Sequence, residues 1–471
     1  MIFDIDKKEP GRTALTGEDG QAVSYGDISA FAAEFGTYLK GRGVVFCLCE
    51  NVPESVLGYI AVMEAGSVPL LLGADIEPGL FLNLFNVYRP AYIWMPDRTG
   101  DEKKSGSFKT VMSKGGYVLF ETGCECYEIN SELALLLSTS GSTGSPKLVR
   151  LSRKNLTSNA ASISEYLQID EKERAVTTLP MQYTYGLSVI NSHLLSGGCV
   201  LMTRSSIVRQ EFWEFFKEYE GTSLAGVPYT YSILKKLHFF DMELDSLRTM
   251  TQAGGKLPVS LQEEYARHCA ANGIRFYVMY GQTEATARMS YLPPERCLEK
   301  AGSIGIAIPG GRFFLQGDGG EEISEPMKAG ELIYEGDNVS LGYALTADDL
   351  KKGDERGGVL ETGDIALRDA EGYYYIEGRK KRFLKVFGVR IGLDECEQIL
   401  RKRYPDSDFA CAGEDDLIRI YTSDREAALS SPEYLAEALN INFRAAEAVY
   451  IDEIPRNDSG KIKYSELENI N

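Results

Sequence analysis

Histidine is scarce in this chain: His193, His238 and His268 are the only three. None stands at metal-ligand spacing with a cysteine, which argues against a structural zinc site. No apolar run approaches the roughly 18 residues that a membrane-crossing helix needs, so no span is expected. The opening MIFDIDKKEP has no basic stretch followed by an apolar core, and a secretory signal is not expected from it. Basic charge is also short. The 50 Lys and Arg face 69 Asp and Glu, and the net charge of −19 argues against nucleic acid or an anionic membrane as main partner. It does not argue against ATP, since a few local lysines and glycines bind phosphate on an acidic protein. The nine cysteines are scattered, with Cys47/Cys49 and Cys124/Cys126 as Cys-x-Cys pairs. With no signal they read as reduced thiols of a cytoplasmic chain, not as a disulfide frame. No internal repeat is visible.

What is present describes an ordinary globular protein: 471 residues, 44% hydrophobic and 25% charged, enough for two or three domains. Ser24 or Asp27 caps a helix that ends near Gly41 and Gly43. A strand, a helix started by Pro53 and a second strand at 68–72 follow, which is the grammar of a parallel sheet covered by helices. Residues 97–107 read as a polar surface loop. The strand-then-helix rhythm recurs to a strand at 276–280, whose end carries the polar cluster YGQTEAT. In open parallel sheets ligands sit at such carboxyl ends. From Gly302 the texture turns to short strands and glycine turns such as GDGG at 317–320, and near Gly378 it turns again. The expected fold is α/β: a large N-terminal domain, 1–377, of layered parallel-rich sheets, helices and a smaller β-rich subdomain. A small α+β domain, 378–471, completes it, with helices at 392–404 and, started by Pro432, after Ser431.

The most telling stretch is STSGSTGSPK at 138–147, which carries six hydroxyls, two glycines and Lys147 directly after the apolar run 133–137. Glycines let several backbone N–H groups face one anion, hydroxyls add donors and the lysine adds a mobile charge. That is a polyphosphate clamp in chemical terms. It is not a Walker loop, because Pro146 precedes the lysine and Leu148 follows it. Taken alone the composition also fits a flexible Gly/Ser linker; the strand feeding straight into it argues for the clamp.

STSGSTGSPK, AGGKLP, YGQTEAT, GSIGIAIPG, GELIYEGDNVSLGY, ETGD, GRKKRFLKVFGVR and NDSGK, in this order, resemble the adenylate-forming superfamily of acyl- and aryl-CoA synthetases, peptide-synthetase adenylation domains and luciferases. SYGDI and AVMEAGSVPLL extend the resemblance over almost the whole chain. It implies activation of a carboxylic acid by ATP as acyl-AMP with release of pyrophosphate, then transfer to a thiol of coenzyme A or carrier-protein phosphopantetheine. By the same resemblance Thr139, Ser140, Gly141, Ser142, Thr143, Gly144 and Lys147 would hold the β- and γ-phosphates. Tyr280 and Gly281, with the Gly254-Gly255 turn, would hold adenine. Thr283 would bond the α-phosphate, and Glu284 would hold Mg²⁺. Asp364 and Arg379 would bind the ribose hydroxyls. Lys461 would bridge the substrate carboxylate and the α-phosphate. Lys381 matches the hinge on which the small domain swings, and Lys385 and Gly388 match the loop beside the pantetheine tunnel.

Each residue has a plainer reading when taken singly. Tyr280 also fits a core aromatic, Glu284 a first-turn helix carboxylate, Asp364 a turn cap, and Lys461 a solvated lysine. The basic run 379–385 also fits a solvated face. The sequence departs from the family pattern at Leu148, Arg153, the Gln182-Tyr183 pair and Lys256, none of which removes a phosphate or magnesium ligand. Amino-acid-activating members place an aspartate where residues 181–187 hold no acid. Tyr183, Tyr185, Tyr229 and Tyr231, with Lys256 nearby, suggest a small or aryl carboxylate rather than a long alkyl chain. The competing readings are an amino-acid adenylating domain charging an acyl or peptidyl carrier protein, and a non-catalytic acyl- or nucleotide-binding relative.

Overall fold

The computed structural model describes residues 1–97, 108–138, 147–387, 389–439, 441–456, 462–467 and 470. The expected clamp residues Thr139, Ser140, Gly141, Ser142, Thr143 and Gly144 lie outside the described residues, as do Gly388, Lys461 and the expected loop at 98–107. The chain divides into two compact units: Met1–Arg312 with Glu335–Leu360, and Phe313–Tyr334 with Glu361–Asn471.

The first unit is built on two large sheets. One has nine strands, and its six central members run parallel: Arg275–Tyr280, Thr249–Gln252, Ser223–Gly226, Arg174–Val176, Cys199–Met202 and Thr13–Gly17. The other has eight strands, with Leu133–Ser138, Val68–Gly73, Val44–Cys49 and Tyr92–Pro96 parallel at its centre. Successive strand side chains point to opposite faces. Val45, Cys47 and Cys49 accordingly join the core with helices Tyr25–Gly36 and Pro53–Glu64, while Val44, Phe46 and Leu48 join the one with helix Pro78–Tyr88. Burial on both faces is why these strands are unbroken apolar runs instead of alternating ones. The same first core holds Leu15, Val200 and Met202 of the nine-stranded sheet, so the helices between are packed on both sides.

Local chemistry explains where the helices start and stop. Ser24 and Asp27 cap the first helix together, each side chain taking the other's backbone N–H, and that helix stops at Gly36, earlier than its sequence suggests. Pro53 occupies a first-turn position, where its missing N–H costs nothing.

The second unit contains a five-stranded sheet and a small α+β body. The sheet order is Glu322–Ile323, Gly311–Gln316, Gly330–Gly336, Val359–Arg368 and Tyr374–Arg379. The GDGG turn closes its first hairpin, with the Gly320 N–H on the Gly317 carbonyl. In the α+β body, Phe409–Glu414, Leu417–Thr422 and Ala446–Tyr450 form a sheet whose core is shared with helices Leu393–Arg403 and Arg425–Ala438. The last helix departs from its expected start. Asp424 caps it by accepting from the Glu426 and Ala427 N–H groups, and Pro432 lies inside it. The capping carboxylate sets the start, and the proline is carried within the helix.

Candidate active site

The polar cluster predicted at the end of strand Arg275–Tyr280 is a short turn, Thr283–Ala285, followed by Thr286 (φ 57°) and Ala287 (φ 105°). Left-handed backbone at two non-glycine residues costs of order 1–3 kcal/mol each and persists only where the surroundings enforce it. Asn338 does much of the enforcing. Its Nδ2 donates to the Ala285 carbonyl at 2.8 Å and the Arg288 carbonyl at 3.1 Å, while its own carbonyl accepts the Thr286 hydroxyl at 2.6 Å. Gly281 permits the tight path: a Cβ there would lie 1.6 Å from the Ala287 carbonyl oxygen.

The turn presents two of the expected residues. Thr283 shares a 2.9 Å hydrogen bond with Thr184 at the start of helix Thr184–Ser196. Glu284 is held at both ends: its carbonyl accepts the Ser340 N–H at 2.9 Å, and its Oε1 accepts the Tyr343 hydroxyl at 2.7 Å. Lys147 meets the same tyrosine, with Nζ 3.3 Å from the ring centroid. Burial pushes the Tyr343 phenol up to about 12, and the neighbouring Glu284 carboxylate adds to the push, so Tyr343 remains a donor to that carboxylate.

Tyr343, Asn338 and Ser340 belong to the quoted GDNVSLGY stretch, yet none was singled out by sequence reasoning. Their roles are tertiary: one short segment clamps the turn, caps a carbonyl and joins a lysine to a glutamate nearly 140 residues away by sequence number. Arg150 was missed for the same reason. Fully buried, it donates to the carbonyls of Tyr343 (3.0 Å), Leu341 (3.0 Å), Gly353 (3.1 Å) and Lys352 and pairs with Glu355, fixing the strand Gly342–Ala344 against Leu148–Ser152.

Across the sheet, the Gly254-Gly255 turn follows strand Thr249–Gln252. Gly254 has φ +85°, and a Cβ on it would lie 2.7 Å from the Tyr183 hydroxyl. Burial pushes the Tyr183 phenol up to about 12. Gln252 Nε2 donates to the Gly255 carbonyl at 2.9 Å, holding the turn, and Gln282 Nε2 donates to the Tyr280 hydroxyl at 3.2 Å. The four tyrosines proposed as a wall differ in setting. Tyr185 is buried with its hydroxyl on Thr251, and Tyr231 is fully buried. Tyr183 is partly buried and Tyr229 is 61% exposed; Lys256 is exposed.

The remaining expected residues lie in the second unit. Asp364 and Arg379 are register partners on adjacent strands, with Nε to Oδ1 at 3.2 Å. The Asp364 side chain is 4% exposed and that of Arg379 63%, a fixed acceptor beside an accessible cation. Lys381 follows in the turn Lys380–Arg382, and Lys385 lies on strand Phe383–Val386. Arg382, which sequence reasoning passed over, sends Nε to Asp394 (2.7 Å) and another nitrogen to Glu397 (2.8 Å), with its guanidinium 3.7 Å from the Tyr464 ring centroid.

The donors suit magnesium and a polyphosphate. No group of three or more His, Cys, Asp or Glu side chains gathers to hold a metal among the described residues. A single carboxylate, Glu284, is what Mg²⁺ uses when substrate phosphates and water supply its other oxygens.

A family model described as AMP-binding enzyme matches residues 3–344. The chain belongs to the AMP-binding enzymes. Curated relatives include the oxalate–CoA ligase of Arabidopsis thaliana, 31% identical over 98% of this chain and 96% of the relative. The indoleacetate–CoA ligase of Aromatoleum aromaticum is 24% identical over 98% and 96%, and the 2-succinylbenzoate–CoA ligase of Bacillus subtilis 27% over 98% and 95%. Among solved structures, o-succinylbenzoate CoA synthetase from Bacillus subtilis with its acyl-adenylate intermediate has a TM-score of 0.81 at 23% identity, covering 100% of this chain and 98% of that one. That likeness shows the shared fold. The AMP-binding enzyme described here is an ATP-dependent acid–thiol ligase that forms acyl-AMP, releases pyrophosphate and passes the acyl group to a thiol. Among the described residues no helix is long and apolar enough to cross a membrane.

Proposed function

We propose that the acid is small or aromatic, that the thiol is coenzyme A, and that the reaction takes place in the cytoplasm. The observation that supports the site assignment is the Glu284–Tyr343–Lys147 contact at the carboxyl end of a parallel sheet: it gathers around one phenol a carboxylate that would suit Mg²⁺ and a cation that would suit phosphate. Lys147 would hold the β- and γ-phosphates together with residues 139–144, and Thr283 the α-phosphate. Tyr280, Gly281, Gly254 and Gly255 would frame adenine, with Asp364 accepting from the ribose hydroxyls and Arg379 donating to them. Lys461 would neutralise charge between the attacking carboxylate and the α-phosphate. Magnesium, when bound, supplies the charge that makes pyrophosphate a better leaving group. The protein forms no covalent bond in this step; its residues position the two anions and offset their repulsion. For the second step we place a hinge at Lys381, a boundary for the mobile domain at residue 378, and Lys385 and Gly388 beside the thiol.

The relatives above are named for oxalate, indoleacetate and 2-succinylbenzoate, small or aryl acids, and for coenzyme A. Tyr183 beside Gly254 and the exposed Tyr229 offer aromatic surface with polar tips, in keeping with such acids. The free cysteines among the described residues fit a reducing compartment.

The test is pyrophosphate release with ATP and Mg²⁺ across short, hydroxylated, aryl, fatty and amino acids, with Lys461→Ala alongside. One short or aryl acid giving release that collapses in the variant, and then consuming coenzyme A, is the expected result. Release only with a long-chain fatty acid or an amino acid would overturn the substrate class. An acyl-AMP that reacts with a carrier-protein arm and not with coenzyme A would overturn the acceptor.

A further inference from the structure

Arg356 lies in the turn between strands Gly342–Ala344 and Val359–Arg368, where Asp354 Oδ1 accepts the backbone N–H groups of Arg356 (2.8 Å) and Gly357 (3.0 Å). The turn points the guanidinium at Tyr343, 4.8 Å from its ring centroid. Tyr343 is thus shared by two cations, Lys147 and Arg356, and one carboxylate, Glu284.

The carboxylates nearest to Arg356 in sequence are otherwise engaged. Glu355 pairs with Arg150 and Lys352, and Asp354 accepts the backbone N–H groups just named. Among the described residues the Arg356 guanidinium has no ion-pair partner, and the residue is only partly exposed. A partly buried arginine without a carboxylate, in a chain carrying a net charge of −19, is an unusual use of positive charge. The Glu284 carboxylate offsets one of the two cations on this phenol, which leaves the three groups with one net positive charge. The guanidinium fork matches phosphate oxygens in a way an ammonium does not.

We infer that Arg356 is a further phosphate-binding residue of this site, contacting the β,γ-phosphates that leave as pyrophosphate. The inference rests on the assignment of Lys147 to those phosphates, since the two cations share one ring. Arg356 acts on the leaving group and has no part in binding the nucleoside or the α-phosphate.

Calorimetric binding of AMP, inorganic pyrophosphate and Mg²⁺–ATP, without any acid, separates these roles. Arg356→Gln is expected to weaken pyrophosphate and ATP by about tenfold, the worth of one charge-assisted contact, and to leave AMP within about twofold. AMP binding then also reports that the variant is folded. Arg356→Lys, which keeps the charge and loses the fork, is expected to lie between wild type and Arg356→Gln. Equal weakening of AMP and ATP would show a structural role on Tyr343 and overturn the inference. So would unchanged ATP binding, or an Arg356→Lys protein no better than Arg356→Gln. Wild-type protein that binds none of the three would instead refute the site assignment itself, and the inference with it.

Discussion

Asn338 shows how much of this site depends on a residue that touches no reacting atom. Its amide and its own carbonyl account for three of the hydrogen bonds that hold Thr286 and Ala287 in left-handed backbone. Asn338→Ala takes this donor from the Ala285 carbonyl, at about 1–3 kcal/mol, while the Arg288 carbonyl keeps the Asn159 amide. The turn carrying Thr283 and Glu284 then relaxes, and ATP–pyrophosphate exchange is expected to fall well over tenfold while the chain stays folded by circular dichroism. Tyr343→Phe is gentler. It keeps the ring under Lys147 and removes the hydroxyl from Glu284, so exchange should fall about tenfold with little change in melting temperature. His193 carries a pH prediction. It is buried, its Nδ1 facing the Val189 carbonyl at 2.8 Å, and burial lowers its pKa from 6.5 to about 4, with Arg288 adding to the shift. The unfolded chain takes up this proton near pH 6.5 and the folded one only near 4. Stability is therefore full above 6.5 and is lost as pH falls towards 4, by up to about 3 kcal/mol. In His193→Gln the drop in unfolding midpoint between pH 7 and pH 5 should shrink; an unchanged drop would place the titration elsewhere.

At the scale of elements, the second unit is organised by a buried charge cluster. Glu397 on helix Leu393–Arg403 takes Arg382, Arg401, the Tyr464 hydroxyl and the Cys411 N–H, with distances of 2.8, 3.1, 3.0 and 2.9 Å. One carboxylate thus ties that helix to the turn after Arg379, a sheet strand and the helix Tyr464–Leu467. Removing one partner of a buried pair strands the others. Glu397→Ala is expected to destabilise this unit by about 3–5 kcal/mol, read as an early unfolding transition in urea, whereas Arg401→Ala at the exposed end costs about 1 kcal/mol or less. Helix boundaries follow a simpler logic. Asp424 starts its helix because its carboxylate satisfies two end N–H groups, and a proline eight residues on does not override that.

At the scale of the whole molecule, each compact unit carries its own part of the expected chemistry: Lys147, Thr283 and Glu284 in the first, Asp364, Arg379 and Lys385 in the second. Two half-reactions on one chain predict separable variants. Lys461→Ala should lower acid-dependent pyrophosphate release by about a hundredfold or more while thioester formation from supplied acyl-AMP stays within about threefold. Lys385→Ala should do the reverse. Rapid-quench assays of each half-reaction check both, and equal losses in the two steps would deny the division.

The order of motifs, the apolar runs of the parallel strands and the caps at Ser24 and Pro53 were legible in the sequence because each depends on neighbours a few residues apart. Patterns of that range determined the α/β fold and the reaction class, and they made Lys147, Thr283 and Glu284 candidates for the site. What the sequence could not give is which side chains meet when strands and turns far apart in the chain come together. Tyr343 joining Lys147 to Glu284, Asn338 clamping a strained turn, Arg150 fixing the strand that carries Tyr343, and Arg382 against Tyr464 all depend on long-range packing. Directional bonds between such residues exist only once the backbone has placed donor and acceptor within about 3 Å, and that placement is a property of the folded chain.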